Sequence, residues 1–79
     1  MSRPVKRSFT ISGHRTSISL EAPFWEALKA IAAEEKASVA SLIGRIDAAR
    51  GKSGLSSAVR VWILEHYREI ARRDRTSRT

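Results

Sequence analysis

Residues 15–20, Arg15-Thr16-Ser17-Ile18-Ser19-Leu20, alternate polar and apolar side chains with a period of two. Ile18 and Leu20 take one face, with Thr16 as its weaker member, and Arg15, Ser17 and Ser19 take the other. That period, rich in β-branched residues, predicts a strand. It constrains the fold because everything after it reads as helix, and an isolated strand leaves its backbone N–H and C=O groups without partners. Two solutions stay open. Ser8-Phe9-Thr10-Ile11 alternates too, and Ser12-Gly13 between the two runs suits a tight turn, so a hairpin could form within the chain. Alternatively, a second copy of the chain supplies the missing strand as an antiparallel ribbon.

Pro23 stands where its fixed φ and missing N–H suit the first turn of a helix. From Ala22 to about Glu35, Phe24, Trp25, Leu28, Ile31 and Ala32 return at three- and four-residue spacing, which predicts an amphipathic helix. Ser38 is a suitable cap for a second helix, whose stripe of Val39, Leu42, Ile43 and Ile46 fades near Ala49-Arg50. After the loop Gly51-Lys52-Ser53-Gly54, a third helix capped by Ser53 or Ser56 is expected from about Leu55 to Arg72. The expected organisation is therefore a basic arm over residues 1–7, one domain over residues 8–72, and a basic, disordered tail over residues 73–79.

Support for so small a core must come from somewhere. A chain of 79 residues usually leans on disulfides, a metal or a partner subunit. It has no cysteine, and His14 and His66 form no ligand motif with a carboxylate, so no metal or other cofactor is expected. A homodimer remains. No apolar run exceeds four residues, as in Val61-Trp62-Ile63-Leu64, so no membrane span is expected and the cytoplasm is the default location. Net charge is +7, distributed as +4 over residues 1–20, zero over 21–67 and +3 over 68–79. A neutral middle between two positive ends points to a polyanion as partner. Catalysis finds no support: there is no nucleophile with a base and an orienting group, and Gly51-Lys52-Ser53-Gly54 lacks the spacing of a phosphate loop.

The residues also carry a resemblance. Arg15-Thr16-Ser17-Ile18-Ser19-Leu20, then two residues and Pro23 through Ala32, resembles the opening of ribbon-helix-helix repressors, the Arc and methionine-repressor superfamily. Ala37-Ser38-Val39 through Asp47 fits that family's second helix without a gap. Lys6-Arg7-Ser8, Gly13 through Ser17, Phe24-Trp25, Ile46 through Arg50 and Leu55 through Ala58 resemble a bacterial subfamily that extends the likeness over residues 6–67. The chain departs in having Lys36 where the family often has glycine, and in its third helix and first strand. In a second alignment Gly54-Leu55-Ser56 opens the family's second helix, which makes residues 36–53 an insertion.

The resemblance implies a mostly helical fold with a short β-ribbon, in which strand, helix and helix are followed by an extra C-terminal helix and the homodimer is intertwined. Its dimer core would be Ile18, Leu20, Trp25, Leu28, Leu42, Ile43, Ile46 and Trp62. It also implies sequence-specific contact with double-stranded DNA. The ribbon would enter the major groove and present Arg15, Ser17 and Ser19 to base edges, where arginine pairs with guanine O6 and N7 and hydroxyls bond several bases. Lys6, Arg7, His14, Ser38 and Val39 are the candidate phosphate contacts, Ser38 and Val39 because they open a helix whose positive end carries no acid. The expected function is that of a transcriptional repressor in the cytoplasm, at the nucleoid. The alternative, from another class, is an antitoxin or protein-interaction module that holds a toxin partner. Non-specific binding to the nucleoid or to an anionic membrane is a third reading.

Overall fold

The computed structural model describes residues 3–77, with side chains through Asp74. The element order is β1 (Pro4–Ile11), β2 (His14–Glu21), α1 (Ala22–Glu35), α2 (Val39–Ala49) and α3 (Leu55–Ser77). The two strands form one antiparallel hairpin. Its turn is Ser12-Gly13, with φ of 51° and 80°. Both central residues thus take the positive φ of a type I′ turn, whose twist matches that of the flanking strands and which Gly13 adopts without steric cost. A two-residue turn fixes the register: Ile11 faces His14, Phe9 faces Thr16, Ser8 faces Ser17 and Lys6 faces Ser19.

One face of this ribbon lies on the helices. β1 is backed by α2, and β2 by α1 and α3. Ile11, Ile18 and Leu20 from the ribbon meet Trp25, Leu28, Ile31 and Ala32 of α1, Leu42, Ile43 and Ile46 of α2, and Val59 and Ile63 of α3 in a single core. Trp25 fastens the start of β1 to this layer. Its indole N–H donates to the Val5 carbonyl at 2.9 Å, and its ring lies 5.9 Å from that of Phe9. A Cβ on Gly44 would sit 3.8 Å from Ile11 Cγ2, so α2 rests against the turn end of the hairpin.

The helices begin and end where local chemistry puts them. Pro23 stands in the first turn of α1. Ser38 caps α2, its hydroxyl accepting from the Ser41 N–H at 3.0 Å. Lys36 closes α1 in the left-handed conformation that the usual glycine would supply, with φ of 55°. The Ala37 N–H reaches back to the Ala32 carbonyl at 2.9 Å. That backward bond satisfies one of the last carbonyls of α1 and holds Lys36 in place.

Two boundaries differ from the sequence-based expectation. β1 begins at Pro4 rather than Ser8, because the fixed register carries pairing back to Glu21, so Lys6 and Arg7 belong to a strand and not to an arm. β2 is therefore not a lone strand. α3 continues past Arg72 to Ser77, since nothing after Gly54 breaks a helix and Arg68–Glu65 and Arg72–Glu69 pair at i,i+3. Met1 and Ser2 of the expected arm, and Arg78 and Thr79 of the expected tail, lie outside the described residues. Neither Ser53 nor Ser56 stands at the residue before Leu55, where Gly54 sits and its carbonyl accepts from the Ala58 N–H. Ser56 turns instead toward β2.

Of the side chains expected at a dimer core, Ile18, Leu20, Trp25, Leu28, Leu42, Ile43 and Ile46 are buried within their own chain. Their burial needs no second copy. Trp62 alone in that set keeps exposed surface.

Candidate nucleic-acid interface

Alternation and register together decide what the ribbon shows to solvent. With Ile18 and Leu20 turned to the core, Arg15, Ser17 and Ser19 project from the opposite face. The cross-strand partners of these residues are Thr10, Ser8 and Lys6. The outward face is thus a two-by-three array, with Lys6, Ser8 and Thr10 on β1 beside Ser19, Ser17 and Arg15 on β2. The Ser8 and Ser17 hydroxyls lie 3.3 Å apart. Ser19 is half-buried and the other five are exposed. Two cations flank four hydroxyls, a surface that can donate to and accept from both phosphate oxygens and base edges.

A carboxylate at the base of the ribbon is held in check. Glu21 faces Pro4 at the base of the ribbon. Arg60, from α3, donates to its carboxylate at 3.0 and 3.3 Å. These bonds hold the Glu21 carboxyl below the usual carboxylate range, and the pair leaves no net negative charge beside the array. Arg60 also reaches the Ser19 carbonyl at 3.2 Å and lies 5.7 Å from the centre of the Phe24 ring. The Ser19 N–H donates to the Ser56 hydroxyl at 3.1 Å. Both backbone groups of Ser19 are therefore engaged by side chains of α3.

The candidate phosphate contacts do not share one place. Lys6 belongs to the outward face. Arg7 points to the opposite side of β1, where its guanidinium lies 5.4 Å above the Trp25 ring, a cation–π contact that still leaves the residue exposed. His14 is exposed beside the turn. At the start of α2, Ser38 is committed as a cap to Ser41, while the first-turn N–H groups of Val39 and Ala40 have no partner within the helix. No acid stands in that turn.

Sequence reasoning placed candidate residues of this face on β2 alone and did not bring Ser8 and Thr10 to it. The signal was present, because a two-residue turn at Ser12-Gly13 pairs residue 8 with 17 and residue 10 with 15. It also missed Ser56 and Arg60, which serve β2 from 37 and 41 residues away and carry no local signature. Among the described residues no group of three His, Cys, Asp or Glu side chains could hold a metal ion. Among the described residues no helix is long and apolar enough to cross a membrane.

Comparison with curated proteins and with solved structures returned no match. A family model described as ribbon-helix-helix domain matches residues 4–67. That stretch begins with the first residue of β1 and ends within α3, so it takes in the whole ribbon, α1, α2 and the N-terminal part of α3. The chain therefore belongs to the ribbon-helix-helix domain family, a family of DNA-binding regulators.

Proposed function

We propose that the protein is a sequence-specific, double-stranded-DNA-binding transcriptional repressor. It acts in the cytoplasm as a homodimer and presents the outward face of its β-ribbon to the major groove. The observation that carries this reading is the composition of that face: Lys6, Ser8, Thr10, Arg15, Ser17 and Ser19, with the Glu21 carboxylate neutralised by Arg60. A two-stranded ribbon fits the groove, Arg15 offers a bidentate fork for guanine, and the hydroxyls bond neighbouring base edges. Lys6, His14 and the start of α2 at Ser38 and Val39 lie on phosphates and set the register, as contacts of that kind do.

Family members generally bind DNA as dimers. The surface that supports a second copy here is the uncovered side of α3, where Val61, Leu64 and Tyr67 are 57%, 55% and 43% exposed. Beside them Val61 and Trp62 line a cleft of about 370 Å³ against Ile46 and Ala49 of α2. These side chains give α3 an apolar surface besides the one that packs Val59 and Ile63 into the core, and an uncovered apolar surface suits a partner. The same surface favours the second reading, an antitoxin whose α3 holds a toxin.

Selection of bound DNA from a random library tests the proposal. A repressor dimer enriches an inverted repeat of two half-sites. Arg15→Ala then loses discrimination worth about 1–3 kcal/mol at each half-site while keeping most of its affinity for random DNA. Failure to enrich any sequence overturns the reading. Purified alone, the chain is a dimer that Leu64→Glu dissociates; a stable monomer would favour the antitoxin.

A further inference from the structure

We infer that the cleft between α2 and α3 is a binding site for a small, uncharged aromatic molecule. The inference is independent of how the ribbon meets DNA.

The cleft holds about 370 Å³. Small-molecule sites typically hold roughly 300–1,000 Å³, mostly apolar with a few placed polar groups, and lie between helices in helical folds. Ile46, only 4% exposed, is the most buried part of its wall. Val61 and Trp62 stand on the α3 side and Ala49 on the α2 side. The Trp62 ring lies flat against His66, with centroids 5.6 Å and planes 20° apart. An aromatic wall is thus in place before a ligand arrives, and little side-chain freedom is lost on binding.

Shape favours a compact occupant. The lining residues of α3 run from Ser57 to Glu65, about 12 Å along the helix axis. Ser53, in the loop that joins the two helices, lines the other end, and Arg50 donates to its carbonyl. A groove this short, bounded at one end by its own loop, gives an extended partner no way through.

Charge then selects among compact ligands. The two charged side chains that line the cleft are both paired, Arg50 with Asp47 at 2.6 Å and Glu65 with Arg68 at 3.0 Å. An ionic ligand would find no unmatched counter-charge to offset its lost hydration. The Ser53 and Ser57 hydroxyls can serve one neutral polar group, and the indole of Trp62 suits a planar ring. Leu64 and Tyr67 of the surface offered to a second copy do not line the cleft; Val61 belongs to both.

Phenylnaphthylamine, an uncharged aromatic that fluoresces in apolar surroundings, is the probe. Titrated into the unmodified protein, it should bind saturably, with one molecule per chain. Ala49→Trp and Ser57→Trp each place an indole at the cleft from an exposed position, so the thermal midpoint should hold. At least one of them should weaken the probe by about tenfold or more. If neither does, or if uptake does not saturate, the inference falls. Leu64→Glu should leave probe affinity unchanged; a loss would put the probe between two copies and overturn the inference. The sulfonated analogue, anilinonaphthalene sulfonate, should fail to displace the probe at equal concentration. Displacement would show that the site takes anions, and the assignment of an uncharged ligand would fall.

Discussion

Trp25→Phe tests how the hairpin is held to the helices. Trp25 is 3% exposed, and its N–H is bonded to the Val5 carbonyl while Arg7 covers its ring. Phenylalanine keeps a six-membered ring in the core and deletes the N–H and the fused ring. The lost hydrogen bond costs about 1 kcal/mol, since the Val5 carbonyl keeps its place in the ladder opposite Leu20. The space left by the smaller ring costs about another 1 kcal/mol. A weaker cation–π contact adds a few tenths. The sum is about 2–2.5 kcal/mol. For 79 residues the melting entropy is near 0.17 kcal/mol/K, so the midpoint drops by about 12–15 °C. Thermal unfolding followed by circular dichroism, at equal protein concentrations, measures it. A drop below about 3 °C would refute the reasoning and mean that β1 is not anchored through Trp25.

Lys36→Gly relieves a left-handed conformation that costs a side-chain-bearing residue about 1 kcal/mol, part of which is offset by the greater freedom of glycine in the unfolded chain. The midpoint should rise by about 3–5 °C; a fall would show that the lysine side chain contributes more than its backbone loses. The Glu21 carboxyl is held below its usual value by Arg60, so its contribution to stability is fully present above about pH 4.5 and is lost as pH falls through the lowered value. The difference in midpoint between the unmodified protein and Glu21→Gln should therefore be largest above that pH and shrink on acidification; a difference independent of pH would dissociate Glu21 from the lock on β2.

Much of this protein is written locally. The period of two in residues 15–20, the Ser12-Gly13 turn, Pro23 at the head of α1 and Ser38 at the head of α2 each act on near neighbours, and each element appears where those signals put it. The faces of β2 follow from the same alternation, so Arg15 and Ser17 point outward without reference to anything distant. Tertiary structure decided what those signals left open. Whether β2 pairs within the chain or with a second copy depends on what lies behind β1, and that is Trp25 bonded to Val5 and α2 against Ile11. Ser56 could have capped α3, but Ser19 offers it a half-buried N–H across 37 residues of sequence. Arg7 and Lys6 are adjacent cations in the sequence, yet the pleat of β1 sends one over an aromatic ring and the other to the outward face. The physical reason is common to all three: hydrogen bonds and apolar contacts between distant segments form only once the core has set those segments side by side, and local pattern carries no record of which partner will be there.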